Sequence, residues 1–346
     1  NPNYANAYCN LGIIFKETGD INKSINYFEK SIEINPNYID PHYNLGVIFK
    51  ELGNLHKSIS FFEGVIKINP NHIKAQKNLG LIYLNLGQFL KAKDCYEKVI
   101  RINPNYADAY NDLGVIFKYL GEYKKAINFF KKAIKINPNF VNAYSNVAVL
   151  LGDTNDAENA KNYLEKAIQI DPKNITLYWN LYGQASSINE ALLTLNKLYK
   201  IDNNHTKAKI VISALHGYKG NFDYFNDILS GTELNHAYTQ SIKWIFSLPS
   251  LPKLFFNRFY FFDAIIALTE NSRPFYEFGV WKGVSFQYLV NTYKKGFGFD
   301  TFTGLTEDWH NIQPKGSYSS FGNIPKIEGG EFIVGKFEDT LSKFFS

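Results

Sequence analysis

Residues 35–68 read NPNYIDPHYNLGVIFKELGNLHKSISFFEGVIKI, and at Asn69-Pro70 the same motif begins again. The Asn-Pro pair stands at Asn1, Asn35, Asn69, Asn103 and Asn137, and returns as Asp171-Pro172, always 34 residues after the last. A strict period of this length, with two apolar-periodic stretches in each period, predicts stacked helix–turn–helix units. Proline cannot continue the preceding helix and is preorganised for the start of the next. Gly19, Gly53, Gly87 and Gly121 fall between the two helices, where a C-cap commonly needs a positive φ. Counted from Ala5, Ile39, Ile73, Ala107 and Val141, the seventh and eighth places read Leu11-Gly12, Leu45-Gly46, Leu79-Gly80, Leu113-Gly114 and Val147-Ala148. The small eighth residue lets two helices approach closely. A large side chain lies late in the second helix: Phe28, Phe62, Tyr96, Phe130, and Tyr163 or Leu164. No such unit buries its apolar face alone, so stacking must supply one continuous core and a curved groove. A sixth, shorter unit runs from Ile175 to Ile201, and 206–218 and 222–229 read as degenerate units or a capping pair.

This pattern resembles the tetratricopeptide repeat. In that family the sixth place faces the concave groove, and here it reads Asn10, Asn44, Asn78, Asp112, Asn146 and Asn180. A carboxamide offers both donor and acceptor, so a row of them suits the backbone of an extended peptide. The row is similar to the asparagine ladder of protein O-GlcNAc transferases, which implies a protein or peptide partner in the groove. The alternative is that Asn-Leu-Gly is merely common in this repeat subclass. Asp112 interrupts the row. Lys16, Lys50 and Lys118 lie beyond it, either favouring an acidic ligand or forming a solvated face.

The totals agree with a folded chain of 346 residues and two or three domains: 45% of residues are hydrophobic and the formal net charge is +5. Lys and Arg are spread along the chain rather than blocked together, which argues against a nucleic-acid partner. Cys9 and Cys95 lie far apart in helical patterns, so a disulfide framework is not expected, and a reducing, cytoplasmic location is. The most apolar run, 254–268, is too short and too often charged for a membrane span. The absence of methionine and the start inside a motif suggest a fragment.

Beyond Ser230 the 34-residue rhythm ends. Residues 234–247 and 254–268 read as helices separated by Pro249 and Pro252, and the aromatic run 255–262 predicts a core helix against the following domain. His205, His216 and His236 lack metal-ligand spacing and receive no role. From Pro274 the pattern becomes strand 275–280, helix 284–293, strand 296–300 and strand 331–334. Strand, glycine turn, helix, and a second strand ending in an acid form the first half of a nucleoside-binding α/β unit. Gly279 permits a sharp turn, Gly283 opens a helix whose N-terminus favours an anion, and Asp300 is placed for ribose hydroxyls.

The run Glu277-Phe278-Gly279-Val280-Trp281-Lys282-Gly283-Val284-Ser285, then 298–309, then 335–341, resembles the macrocin-O-methyltransferase-like family. The expected fold class is therefore an α-solenoid of tetratricopeptide repeats followed by a partial α/β Rossmann-like methyltransferase domain. The expected divisions are 1–202 for the repeats, 203–247 for capping helices and 248–346 for the methyltransferase half. The resemblance implies an S-adenosylmethionine-dependent transfer of methyl to a hydroxyl, on a sugar or glycan. Glu277, Gly279, Gly283 and Ser285 would line the methionine end, Asp300 the ribose, and Thr301 and Phe302 the adenine. It further implies Mg2+ in a longer parent, bound by acids beyond Ser346, and an inactive fragment without them. The segment 309–325 would form a loop over the site, in which His310 and Asp308 are candidate bases. The rival expectation is a non-catalytic repeat scaffold for protein–protein interaction with a degenerate methyltransferase domain.

Overall fold

The computed structural model describes residues 4–256, 258–269, 273–278, 283–300 and 324–345. Its chain divides into two compact units, Asn1–Pro138 and Asn139–Ser346.

The first unit consists of four helical hairpins: Ala5–Glu17 (α1) with Ile21–Ile34 (α2), Ile39–Glu51 (α3) with Leu55–Ile68 (α4), Ile73–Asn85 (α5) with Phe89–Ile102 (α6), and Ala107–Tyr119 (α7) with Tyr123–Ile136 (α8). The turn between paired helices is made by Gly19, Gly53, Gly87 and Gly121, all at φ between +70° and +84°. Asp20 and Asn54 then cap the second helix through the amides of Lys23 and Lys57. Inside each hairpin the eighth-place glycine meets the late aromatic ring. A Cβ added at Gly46 would stand 2.7 Å from the Phe62 ring, and one at Gly114 would stand 2.5 Å from Phe130. Ser24 and Ser58 tie the same helices together by donating to the carbonyls of Gly12 and Gly46, each at 2.7 Å. Leu45, Leu79 and Leu113, with Ile48, Ile82 and Ile116, are buried between hairpins.

A second periodic arrangement links the two helices of each hairpin. In the first, second and fourth hairpins the pairs Phe15–Tyr27, Phe49–Phe61 and Phe117–Phe129 stack at 5.1–5.6 Å. Lys23, Lys57, Lys91 and Lys125 each lie 4.9–5.5 Å over the ring of Phe15, Phe49, Tyr83 or Phe117.

In the second unit the hairpins continue as Val141–Asp153 (α9) with Ala157–Ile170 (α10), Ile175–Tyr182 (α11) with Ile188–Ile201 (α12), and Thr206–Tyr218 (α13) with Asp223–Ser230 (α14). Here Ala148 packs with Leu164 in place of glycine with an aromatic ring. The expected helix 234–247 resolves into a 3-10 turn, Thr232–Asn235, and Ala237–Phe246 (α15). The expected helix 254–268 is shorter, Arg258–Ile266 (α16). Residues 251–256 have no regular secondary structure instead, and Leu254 and Phe256 pack into the apolar cluster of α11, α12 and α13. Phe259 of α16 is buried, 4.8 Å from Tyr288.

The C-terminal portion comprises Phe275–Phe278 (β1), Val284–Tyr293 (α17), Gly296–Asp300 (β2), Gly330–Val334 (β3) and Phe337–Phe345 (α18). The strands form a three-stranded parallel sheet in the order β1-β2-β3, with Phe275 opposite Gly296 and Gly296 opposite Gly330. Strand alternation sends Phe275 and Phe332 to one face, where each lies 4.8 Å from Phe286 of α17. Phe297 and Phe299 go to the other face, each 5.0 Å from Phe344 of α18. Helices thus cover both faces, as a parallel sheet requires.

Candidate functional sites

The sixth-place row belongs to the first helix of each hairpin. In the first unit Asn10 is exposed, whereas Asn44, Asn78 and Asp112 are half-buried. Asn44 and Asn78 are oriented alike: each Nδ2 donates to the carbonyl four residues back, Asp40 or Lys74, at 2.9 Å. Such back-bonding fixes the carboxamide on its helix and leaves the oxygen pointing away from it. At Asn78 that oxygen accepts from Lys50 Nζ at 2.6 Å, and its Nδ2 also reaches the Tyr43 hydroxyl at 3.3 Å. The lysine and the asparagine, 28 residues apart, are therefore parts of one polar cluster.

Asp112 departs from the row for a local reason. Tyr96 is the one tyrosine where the other repeats of this unit carry Phe28, Phe62 or Phe130, and it is buried to 1% exposure. Its hydroxyl approaches Asp112 without reaching regular hydrogen-bond geometry. Burial raises the Asp112 carboxyl above its ordinary range, opposed by Tyr96, Asn111 and Lys77. Burial likewise pushes the Cys95 thiol up to about 11 and raises Cys9, so both cysteines are inert core residues.

In the second unit Asn146 and Asn180 are half-buried, and Asn180 Nδ2 contacts Ser145 Oγ at 3.4 Å. Asn180 lines a cavity of about 240 Å³ with Val149, Asp153, Trp179 and Gln184. The Gln184 side-chain oxygen is buried without a hydrogen-bond partner among the described residues. Asp153 pairs with Arg258 at 3.0 Å.

In the C-terminal portion the structure brings Glu277 and Ser285 together. Glu277 lies on β1, and Ser285, on the first turn of α17, donates its hydroxyl proton to Oε1 at 2.5 Å. The other oxygen, Oε2, is buried and has no hydrogen-bond partner among the described residues. Burial holds the Glu277 carboxyl above its usual value; Ser285 and Arg258 oppose this, and Asp300 adds to it. Asp300 ends β2, beside β1. Gly283 precedes α17 at φ +72°, and a Cβ there would stand 2.9 Å from Pro325 and Ile327. The chain itself occupies the space beside this glycine. Gly279, Thr301, Phe302, Asp308 and His310 lie outside the described residues. Among the described residues no three His, Cys, Asp or Glu side chains gather in metal-binding geometry, and no helix is long and apolar enough to cross a membrane.

Three histidines have a structural role that sequence reasoning did not assign. His72, His205 and His236 cap α5, α13 and α15, with Nδ1 accepting from Ala75, Ala208 and Tyr238 at 3.1 Å. The usual cap signal is Ser, Thr, Asp or Asn, so a histidine cap is silent in the sequence.

Family models of the tetratricopeptide repeat match residues 5–38, 73–106 and 107–140, and related tetratricopeptide models match 27–60 and 141–174. Among solved structures, a tetratricopeptide repeat protein from Parabacteroides merdae is similar with a TM-score of 0.53 and 17% identity, over 69% of this chain and 97% of its own. MamA is similar with a TM-score of 0.46 and 25% identity, over 50% of this chain and 94% of its own. YrrB, described as having an unusual peptide-binding site, gives a TM-score of 0.43 and 22% identity, over 56% of this chain and 97% of its own. No curated protein matches the chain.

Proposed function

We propose, from the premise that residues 5–60 and 73–174 match tetratricopeptide repeats, that the protein is a scaffold holding an extended peptide along the asparagine row of its first unit. The observation carrying this reading is the shared orientation of Asn44 and Asn78, whose carboxamides are locked by their own helices before any ligand arrives. Locked polar groups bind backbone amides and carbonyls with less entropy to lose. Lys50, already bridged to Asn78, favours a peptide with acidic side chains. The test is an array of acidic peptides probed with the full chain and with Asn44→Ala/Asn78→Ala. Loss of the bound set supports the reading; an unchanged set refutes it.

A second reading, methyl-donor binding by the C-terminal portion, is favoured by one feature. The unpartnered Glu277 Oε2 suits the ammonium group of the methionine moiety of S-adenosylmethionine. Asp300 would hold the ribose, and the acceptor would be a hydroxyl. The crowding of Gly283 by Pro325 and Ile327 counts against an open cradle. Calorimetry with S-adenosylhomocysteine decides: binding that Asp300→Ala abolishes supports this reading, and no binding, or binding unaffected by the substitution, ends it.

A further inference from the structure

The third hairpin lacks two rings that other hairpins share. In the first, second, fourth and fifth repeats the fourth and twenty-third places pair as Tyr8–Tyr27, His42–Phe61, Tyr110–Phe129 and Tyr144–Tyr163, with ring centres 6.1–6.4 Å apart. In the third repeat those places hold Gln76 and Cys95. Gln76 lines a cleft of about 500 Å³ together with Ile66, Pro70, Lys98, Arg101 and Ile102.

Three properties of the cleft point to a ligand. Its walls include the side chains of Ile66, Pro70 and Ile102, which suit an apolar body. Gln76 is 1% exposed, and its side chain reaches the cleft. A carboxamide there offers donors and an acceptor to a ligand. Lys98 and Arg101 are exposed at the rim and form no ion pair among the described residues. In two other repeats the lysine matching Lys98 has a ring beneath it: Lys30 lies 5.9 Å over Tyr8, and Lys132 lies 4.6 Å over Tyr110. Lys98 has Gln76 in that place.

We propose that this cleft binds an aromatic ring carrying an anionic group. The ring lies under Lys98, as Tyr110 lies under Lys132. The anion pairs with the Arg101 guanidinium and the Lys98 ammonium, and Gln76 bonds to a polar atom at the inner end. None of these residues belongs to the asparagine row, so the site is separate from the peptide groove.

The same chemistry is offered by a free aromatic anion and by a phosphotyrosine side chain of a partner. The experiment is calorimetric titration of the full chain with phenyl phosphate, inorganic phosphate and a phosphotyrosine peptide. The expected result is saturable binding of phenyl phosphate, at least tenfold tighter than inorganic phosphate. Gln76→Tyr restores the fourth-place ring and should weaken phenyl phosphate at least tenfold. Lys98→Glu/Arg101→Glu, confined to exposed positions, should do the same without disturbing the core. A peptide bound tenfold more tightly than phenyl phosphate assigns the ring to a partner chain; equal affinity assigns it to a free small molecule. Absence of phenyl phosphate binding, equal binding of inorganic phosphate, or indifference to both variants would overturn the proposal.

Discussion

Gly46→Ala sets two effects of known sign against each other. Alanine in a helix interior is favoured over glycine by about 1 kcal/mol, so propensity alone says the variant gains stability. The structure says otherwise. The new Cβ would lie 2.7 and 2.8 Å from two carbons of the Phe62 ring, and that ring is fully buried. Carbon contacts settle near ~3.5–4.0 Å, so the ring or the helix must move by about 1 Å in a close-packed core. Overpacking of this kind costs about 1–3 kcal/mol, leaving a net loss of up to about 2 kcal/mol. The fifth repeat shows the compensated form, because Ala148 there meets Leu164. Phe62→Leu alone should cost on the order of 1 kcal/mol by leaving space. Gly46→Ala/Phe62→Leu should lose less than the two single changes together, with a favourable coupling of about 1 kcal/mol. Urea midpoints of the four proteins, followed by circular dichroism, measure the cycle. A Gly46→Ala protein at least as stable as the parent, or strictly additive losses, would refute the meshing argument.

Two predictions concern pH. Burial raises the folded-state Asp112 carboxyl above its ordinary 3.8, so the ionised group opposes folding at neutral pH and the opposition fades on acidification toward that value. Asp112→Asn should therefore exceed the parent in stability at pH 7, with the gap closing as pH falls toward 4; a gap that stays constant in urea titrations at several pH values contradicts this. His72 behaves with the opposite sign. Burial lowers its folded pKa below 6.5, so its contribution is complete above 6.5 and is lost as pH falls through that value toward the folded one. His72→Asn keeps a capping acceptor and should remove this acid sensitivity, and equal pH profiles for parent and variant would show that the cap does not matter.

Much of the repeat architecture was legible because its causes are local and recur. The Asn-Pro turn, the inter-helix glycine and the small eighth residue each act within one hairpin, and the helices 39–51 and 55–68 lie where those signals put them. The meshing of Gly46 with Phe62 was legible for the same reason. The Lys50–Asn78 bridge was not, since it depends on the spacing of successive hairpins rather than on either motif. Nor was the start of α16. Pro249 and Pro252 marked a break, but only the packing of Leu254 and Phe256 against α11–α13 explains why the helix does not begin before Arg258. In the C-terminal portion the strands and α17 lie where the sequence put them, whereas the Ser285–Glu277 hydrogen bond and the approach of Pro325 and Ile327 to Gly283 depend on how those elements pack. The ring pair missing at Gln76 and Cys95 was written in the sequence, at places that the sixth- and eighth-place pattern does not draw the eye to.

The ring held against a glycine inside every early hairpin also shapes the response to force. Each such mesh joins two helices adjacent in the chain, so a pull on the ends of the array can open one hairpin while leaving the mesh of its neighbour untouched. Extension should then come in equal steps, each releasing one period of 34 residues and about 110–120 Å of contour length. The four latches, three phenylalanines and one tyrosine, give way one hairpin at a time as the array is stretched.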